Sequence, residues 1–511
     1  MKGGVHMNDL NSHKDPARVQ DYLKPGQRIY FIEIGGISMG GLAELSFHAH
    51  MTVGGSDPQQ PARLDRLRYL GIHIDREQSA AAIAAFAPDL TVFSSAVPVN
   101  NPQRQWSEEQ GIPTVERSVF LGALTRAYEQ VVNVAGTNGK TTTTAMLALM
   151  LMEAKQDPTV HLGAELAQFD QSTVHIGSQD ELLVSEACEY RDSFLDFHST
   201  TGIILNIDLD HTDYFAGIEA IISSFARFVA KIPEHGHLIV PADGPHITAC
   251  LHEAQALRKQ ETSGPIHIHT FGIRDDVSPT LQGAIPDYKD SSFPDFFATN
   301  LVWTKGLPSF DTYYRGEYYA RIEMALPGEH NILDALAAML AAELNGGHAD
   351  ASARVLSRFT GAEGRFSMKG NYRGAQVIAD YAHSPSKTKA TLEAARAMPH
   401  ENIWVVYQPL TYSRVKEMWN EYLDALSGPN HIIFIEIYTD REQDTQGMSS
   451  RLLVDALNER GTSAEFADDF EAVVDSLYRK VQPGDLILFL GPEEVRSYAP
   501  RLVSRSDRHN S

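Results

Sequence analysis

At 511 residues the chain is long enough for about three domains, since a single core rarely grows past about 250–300 residues. Its 43% hydrophobic and 21% charged residues are a globular composition, and 43 basic against 66 acidic residues, a net charge of −23, argue against nucleic-acid and anionic-membrane partners. Two cysteines, Cys188 and Cys250, leave no disulfide framework and no Cys-rich zinc site.

Residues 1–27 read as a polar extension without the apolar core of a signal peptide. No apolar run approaches the about 20 residues that span a bilayer, so cytoplasmic residence without a membrane partner is expected. Residues 28–34 then form a β-rich run ending in Gly35-Gly36. It is followed by helix 42–50, strand 52–57, helix 64–70, strand 71–74, helix 80–86 and strand 90–93. This alternation implies a parallel sheet with helices on both faces, a Rossmann-like N-terminal domain over 28–128. A central P-loop ATPase-like parallel-sheet domain is expected over 129–362. It opens with strand 131–134 and helix 141–154, and has further strands at 181–185 and 202–206. Residues 252–319 read as sheet and loop excursions, and 332–344 as an Ala-rich helix closed by Asn345-Gly346-Gly347. The third, again Rossmann-like domain spans 363–511. Its strands are 375–379, 402–407, 431–437 and 485–490, its helices 387–397, 415–426 and 449–459, and its tail 504–511 is expected to fray. The whole is an α/β protein.

The sharpest chemical signal is Gly136-Thr137-Asn138-Gly139-Lys140-Thr141 between a strand and a helix. Backbone N–H groups and a helix N-terminus cradle phosphates, a lysine neutralises them, and a threonine hydroxyl holds Mg²⁺. The first glycine of the full P-loop pattern falls on Val134, so the motif is partial. Glu186, Asp210 and His211 follow the next strands, where a parallel sheet lines its ligand crevice, and a nucleotide's charge calls for hard oxygen donors to a divalent cation. Taken singly, each of these acids reads as a solvated loop residue. Gly35, Gly36, Gly40 and Gly41 look like a dinucleotide turn, but Glu33 and Ser38 stand where two of its glycines belong. Asp57 follows at about the roughly 20-residue spacing of a ribose-binding acid. A nicotinamide dehydrogenase is disfavoured, because the better phosphate loop lies in another domain. Arg365 and Arg414 suit carboxylate or phosphate recognition. Cys188, with no histidine at a telling spacing, reads as structural rather than nucleophilic.

Eight segments stand in order: GGISMGGLAELSFHA from Gly35, SSAVPVNNPQ from Ser94, GTNGKTTTT from Gly136, EACEYRDSFL from Glu186, NIDLDHTDYF from Asn206, LPGEHNILDALAA from Leu326, DYAHSPSKTKATL from Asp380 and QPLTYSR from Gln408. Together they resemble the Mur ligase family over nearly the whole chain. The resemblance implies an ATP-dependent ligase that joins an amino acid, expected to be L-alanine, to the carboxylate of UDP-N-acetylmuramate through an acyl phosphate, in peptidoglycan precursor synthesis. It implies that Gly136, Thr137, Asn138, Gly139, Lys140, Thr141 and Thr142 hold ATP, with Thr141, Glu186 and His211 on Mg²⁺. Asn331 would meet the adenine, Asp380 the ribose, Arg365 the phosphates and His383 the amino-acid end. Gly35, Gly36, Ser56, Asp57, Ser94, Ser95 and Arg414 would serve the substrates, and Lys140, Glu186, His211 and His383 the chemistry. The chain departs from the alanine-adding branch at Asn138, Ser384, Leu410 and Thr411. The alternatives are therefore a ligase for another amino acid or a recycled peptide, and a non-catalytic ATP-binding paralogue. The oligomeric state stays open.

Overall fold

The computed structural model describes residues 15–178, 181–274, 293–439, 442 and 444–509. The chain gathers into two compact units: one holds 1–207, 219–269 and 341–347, the other 208–218, 270–340 and 348–511.

The first unit begins with a five-stranded parallel sheet: β1 (Arg28–Ile32), β2 (Thr52–Ser56), β3 (His73–Asp75), β4 (Leu90–Phe93) and β5 (Thr114–Glu116), in the order β3-β2-β1-β4-β5. β1 lies centrally, parallel to β2 and β4, as the alternation of strands and helices predicts. The helix after β1 starts earlier than expected, at Ile37, and ends at His48: Gly36 is its extended N-cap (φ −62°, ψ 145°), and Gly40 and Gly41 lie inside it. Before this sheet, the stretch read as a plain polar extension contains a short helix, Pro16–Val19. Its cap is Asp15, which accepts from the Ala17 N–H at 2.9 Å, and its Val19 is buried. Residues 1–14 lie outside the described residues.

The same unit continues with β6 (Gln130–Ala135), β7 (Thr159–Leu166), β8 (Ser172–His175), β9 (Leu182–Glu186), β10 (Thr201–Ile204) and β11 (His237–Pro241), ordered β11-β10-β6-β9-β7-β8. β6 pairs in parallel with β9 and β10, so the ends of three neighbouring strands point the same way. The helix Lys140–Glu153 is apolar around most of its circumference and is almost wholly buried. β12 (His267–Ile273) begins in this unit and passes into the second at Thr270.

In the second unit, β12 is followed by β13 (Phe296–Thr304), β14 (Leu307–Tyr314) and β15 (Glu317–Glu323), the last three an antiparallel meander. The expectation of sheet and loop over 252–319 is corrected at its start, where Ile247–Gln260 is a helix. The Pro- and Asp-rich stretch 275–292, which lies outside the described residues, had diluted the helical pattern. The last sheet comprises β16 (Ser367–Tyr372), β17 (Ala375–Asp380), β18 (Ile403–Tyr407), β19 (His431–Phe434), β20 (Ser463–Phe466) and β21 (Leu486–Leu490), ordered β16-β17-β21-β18-β19-β20. Only β16 is antiparallel, and β18 and β21 are buried along their full length, as strands covered on both faces must be. Helix 415–426 is in fact two, Tyr412–Glu417 and Trp419–Ala425, broken where Met418 leaves helical angles (φ −108°, ψ 33°). The tail does not fray from Ser504: the helix Glu493–His509 continues past it, with Val495, Ala499 and Leu502 buried along one stripe, and residues 510–511 lie outside the described residues.

Candidate active site

The loop after β6 turns through Gly136 (φ 138°) and Gly139 (φ 86°) into the helix Lys140–Glu153. Both glycines occupy backbone space that a side chain disfavours. Asn206, just beyond β10, clamps this loop: its Oδ1 accepts from the Asn138 N–H at 2.8 Å, and its Nδ2 donates to the Asn138 carbonyl at 3.1 Å. The Thr137 N–H donates to the Asn206 carbonyl at 3.2 Å.

Lys140 Nζ donates to Glu189 Oε2 at 2.8 Å and to the carbonyls of Gly136 and Thr137. The Glu189 side chain is 2% exposed and that of Lys140 15%. Burial works against the ammonium, but Glu189, Cys188 and Glu186 outweigh it and push the lysine up to about 12. The cation is thus held charged at the mouth of a phosphate-shaped loop. Thr141 and Thr142 are buried in the first helical turn. Glu186, the last residue of β9, accepts from the Gly163 N–H at 2.7 Å, and a Cβ on Gly163 would stand 2.6 Å from Glu186 Oε2. That glycine is the cradle in which the carboxylate rests. A carboxylate and a threonine hydroxyl on adjoining strand and helix ends are hard oxygen donors, the set that Mg²⁺ prefers.

The other glycine turn is organised by Asp57. One carboxylate oxygen accepts from the Gly35 N–H at 3.0 Å and the other from the Gln59 N–H at 2.9 Å. A Cβ on Gly35 would meet Asp57 Oδ2 at 2.5 Å, and Arg63 donates to the Gly35 carbonyl at 2.9 Å. Glu33, placed where the fingerprint has glycine, adopts φ 62° and accepts from Ser94 Oγ at 3.1 Å. Gly36 caps the helix, and Ser95 is exposed. Ser56 is the exception among the expected substrate residues. It is fully buried and donates to Gln103 Oε1 at 2.6 Å, in a polar chain that continues to Tyr30 and Asp75. It ends β2, an interior strand of the sheet, with its hydroxyl committed to this chain.

In the second unit, Asp380 ends β17. Its carboxylate accepts from the Phe366 N–H at 2.6 Å and from Thr391 Oγ1 at 3.3 Å, and burial raises it despite nearby Arg365 and Arg496. Both guanidiniums lie over the Tyr381 ring, at 5.0 and 5.2 Å from its centre. His383 packs its ring 4.4 Å from Tyr381, and its Nδ1 lies 2.8 Å from the Tyr381 carbonyl, so that nitrogen carries the proton. Burial, then Lys387 and Arg414, hold His383 well below its ordinary value, which keeps it neutral with Nε2 as a lone-pair site.

Asp210 joins two cations, accepting from Lys387 at 3.0 Å and from Arg414 Nη2 at 2.9 Å. Burial alone would raise Asp210, but Lys387 and Arg414 force it well below the carboxylate range. Arg414 is 6% exposed, and its Nη1 is buried with no hydrogen-bond partner among the described residues, which suits a second carboxylate. His211, next in sequence, holds φ 52°. Asn331 is buried and donates to the Pro327 carbonyl at 2.5 Å.

Sequence reasoning missed Glu189, Asn206, Gly163 and Lys387 as parts of the site. Glu189 and Asn206 stood just beyond β9 and β10, inside quoted motif segments, and Lys387 lies in the helix Pro385–Ala397 that follows β17, but Gly163 lies in β7, which carries no motif residue and gave no signal.

The chain matches the Mur ligase family domain described as catalytic over residues 28–129, the Mur ligase middle domain over 134–342 and the Mur ligase glutamate ligase domain over 364–492. A curated UDP-N-acetylmuramate–L-alanine ligase of Acetivibrio thermocellus is 36% identical over 469 residues, covering 92% of this chain and 94% of that protein. Among solved structures, the UDP-N-acetylmuramate–alanine ligase of Thermotoga maritima superposes with a TM-score of 0.75 at 24% identity, covering 94% of this chain and 99% of that one. A murein peptide ligase of Psychrobacter arcticus gives 0.67 at 22% identity over 94% and 98%. These two likenesses carry the three-domain fold. With all three domains matched in order and a relative above one-third identity along nearly the full length, the chain belongs to the Mur ligase family, whose members are ATP-dependent ligases.

Proposed function

We propose that this protein joins L-alanine to the lactyl carboxylate of UDP-N-acetylmuramate at the expense of ATP, in the cytoplasm, as a step of peptidoglycan precursor synthesis. The observation that carries this reading is the Asn206-clamped glycine loop presenting a charged, half-buried Lys140. The activity of the curated relatives supports it. No helix among the described residues is long and apolar enough to cross a membrane. The working domains are assigned to 28–128 for the nucleotide sugar, 129–362 for ATP and 363–511 for the amino acid.

A carboxylate is a poor electrophile, so it is first phosphorylated by ATP, and the amine then displaces phosphate from the acyl phosphate. Phosphoryl transfer needs positioning and charge neutralisation above all. Lys140 leaves Glu189 for the transferring phosphoryl group, while Gly136, Thr137, Asn138, Gly139 and Thr142 surround the phosphates. Thr141, Glu186 and His211 are the residues that would hold Mg²⁺, which neutralises phosphate charge when bound. Asn331, Asp380 and Arg365 serve the adenine, ribose and phosphates of ATP. Gly35, Gly36, Asp57, Ser94 and Ser95 form the nucleotide-sugar turn. Arg414 receives the amino acid's carboxylate on its open Nη1, and neutral His383 holds the amine end.

A second reading, a different amine or a short peptide, is favoured by one local feature. Thr411 stands at φ 62°, its N–H donates to the Tyr438 carbonyl at 2.9 Å, and neighbouring Leu410 bridges to Tyr438. Residues unlike those of the alanine-adding pattern therefore shape the segment leading to Arg414. Phosphate release with ATP, Mg²⁺ and UDP-N-acetylmuramate across single amino acids, with Lys140→Ala as blank, tests both. L-alanine dependence supports the first reading, dependence on another amine supports the second, and silence with ATP still bound refutes both.

A further inference from the structure

Two His-X-His pairs, His235-Gly236-His237 and His267-Ile268-His269, enter β11 and β12 side by side. The His235 N–H donates to the Pro265 carbonyl at 2.8 Å and the His267 N–H to the Gly236 carbonyl at 2.9 Å, so the register is fixed by backbone bonds. His267 and His269, two apart on β12, share a face, and His235, at φ 63° just before β11, brings its ring to the same file as His237. Ring centres of His235 and His267 are 6.2 Å apart, those of His237 and His267 5.2 Å, and those of His237 and His269 5.2 Å. His237 Nδ1 lies 2.9 Å from His269 Nε2. His269 is buried, whereas His235 and His267 are exposed, and Glu234 Oε1 stands 3.8 Å from His235 Nε2. Nothing in the ligase chemistry uses this file.

We propose that the two His-X-His pairs form a binding site for a divalent transition-metal ion of the zinc class, tying the start of β11 to the start of β12. Imidazole nitrogens are borderline-soft donors that suit such ions and not Mg²⁺. Two imidazoles on one tetrahedral ion at about 2.0–2.1 Å have their nitrogens roughly 3.3 Å apart. The 2.9 Å pair is thus a few tenths of an ångström from a chelate, and the ion takes the place of the shared proton. That proton passes through solvent to the other nitrogen of the donating ring, so that both imidazoles bind neutral. In the rotamers seen, no three His, Cys, Asp or Glu side chains among the described residues surround one point. The third ligand is exposed His267, whose ring turns without disturbing the core. Glu234 or water completes the shell.

The test is a zinc titration of untagged full-length protein by calorimetry and metal analysis, in excess Mg²⁺, with thermal unfolding alongside. The expected result is about one tight equivalent per chain that raises the melting temperature. Affinity should fall by about tenfold or more in His267→Ala and in His237→Ala. His267→Ala alters an exposed side chain, so its folding is not at issue, and its melting temperature without zinc should match that of the parent. Binding that needs millimolar zinc, that Mg²⁺ displaces, or that persists undiminished in His267→Ala and His237→Ala would overturn the proposal.

Discussion

Gly163→Ala probes the placement of Glu186 without touching any charged group. Gly163 lies in β7 with an ordinary negative φ, so alanine costs the backbone nothing, but its Cβ would stand 2.6 Å from Glu186 Oε2 and 3.1 Å from Cδ. A comfortable carbon–oxygen contact is roughly 3.4 Å, so the carboxylate must withdraw by about 0.8 Å or rotate away. The Glu186 side chain is flexible at its far end, and the stability loss should stay at about 1 kcal/mol. The functional loss should be larger, because a misplacement of about 1 Å in a phosphoryl-transfer site costs on the order of 100-fold, or about 2.7 kcal/mol of transition-state stabilisation. Acceptor-dependent phosphate release, measured across a Mg²⁺ series, should show kcat/KM down by about that factor and the Mg²⁺ dependence displaced upward. Full activity at every Mg²⁺ concentration would refute the assignment of Glu186 to the metal. A fall in activity matched by a melting-temperature collapse would refute the claim that only the carboxylate moves.

Lys140→Ala leaves the Glu189 carboxylate buried without its cation and should lower stability by about 3–5 kcal/mol by chemical denaturation. Adding Glu189→Gln should restore most of that stability and none of the phosphate release; a stable single variant would count against the pair. Asp210 has its pKa depressed in the fold, so its contribution is fully present above about pH 4 and is lost as pH falls through the lower folded value. Asp210→Asn should therefore flatten the acid limb of stability against pH, and an unchanged limb would refute the Asp210–Arg414–Lys387 account. Gly35→Ala, whose Cβ meets Asp57 Oδ2 at 2.5 Å, should raise KM for the nucleotide sugar several-fold while leaving KM for ATP alone, as initial-rate kinetics would show.

The sequence made the two Rossmann-like sheets and the strand-loop-helix at Lys140 legible, because alternation of apolar strands with helices is a local signal. It showed the meander β13–β15 only as sheet and loop excursions, because the Tyr- and Asp-bearing strands lack a clean period, and it did not show the last helix, whose buried stripe is thin against its many charges. In the site, motif residues were readable and their partners were not. Glu189 was visible as an acid near Cys188, but its bond to Lys140 depends on how β6 and β9 lie side by side. Asp57 was legible only in part: its spacing points to a ribose contact, but not to the bonds it makes within the fold, one oxygen accepting from the Gly35 N–H and the other from the Gln59 N–H. Spacing along a chain reports the order of groups, and a carboxylate within reach of backbone N–H groups uses them first.

Asn206 carries one more consequence. Because its amide both gives to and takes from Asn138, the glycine loop is a braced arch rather than a hinge, and its shape is settled before any nucleotide arrives. The Asn138 amide should then resist exchange with deuterated solvent in the ligand-free protein, with a protection that tracks opening of the β6–β10 pair rather than of the loop. Replacing Asn206 by alanine should release that amide to fast exchange and slow nucleotide capture, since each encounter would have to wait for an arch that now forms only part of the time.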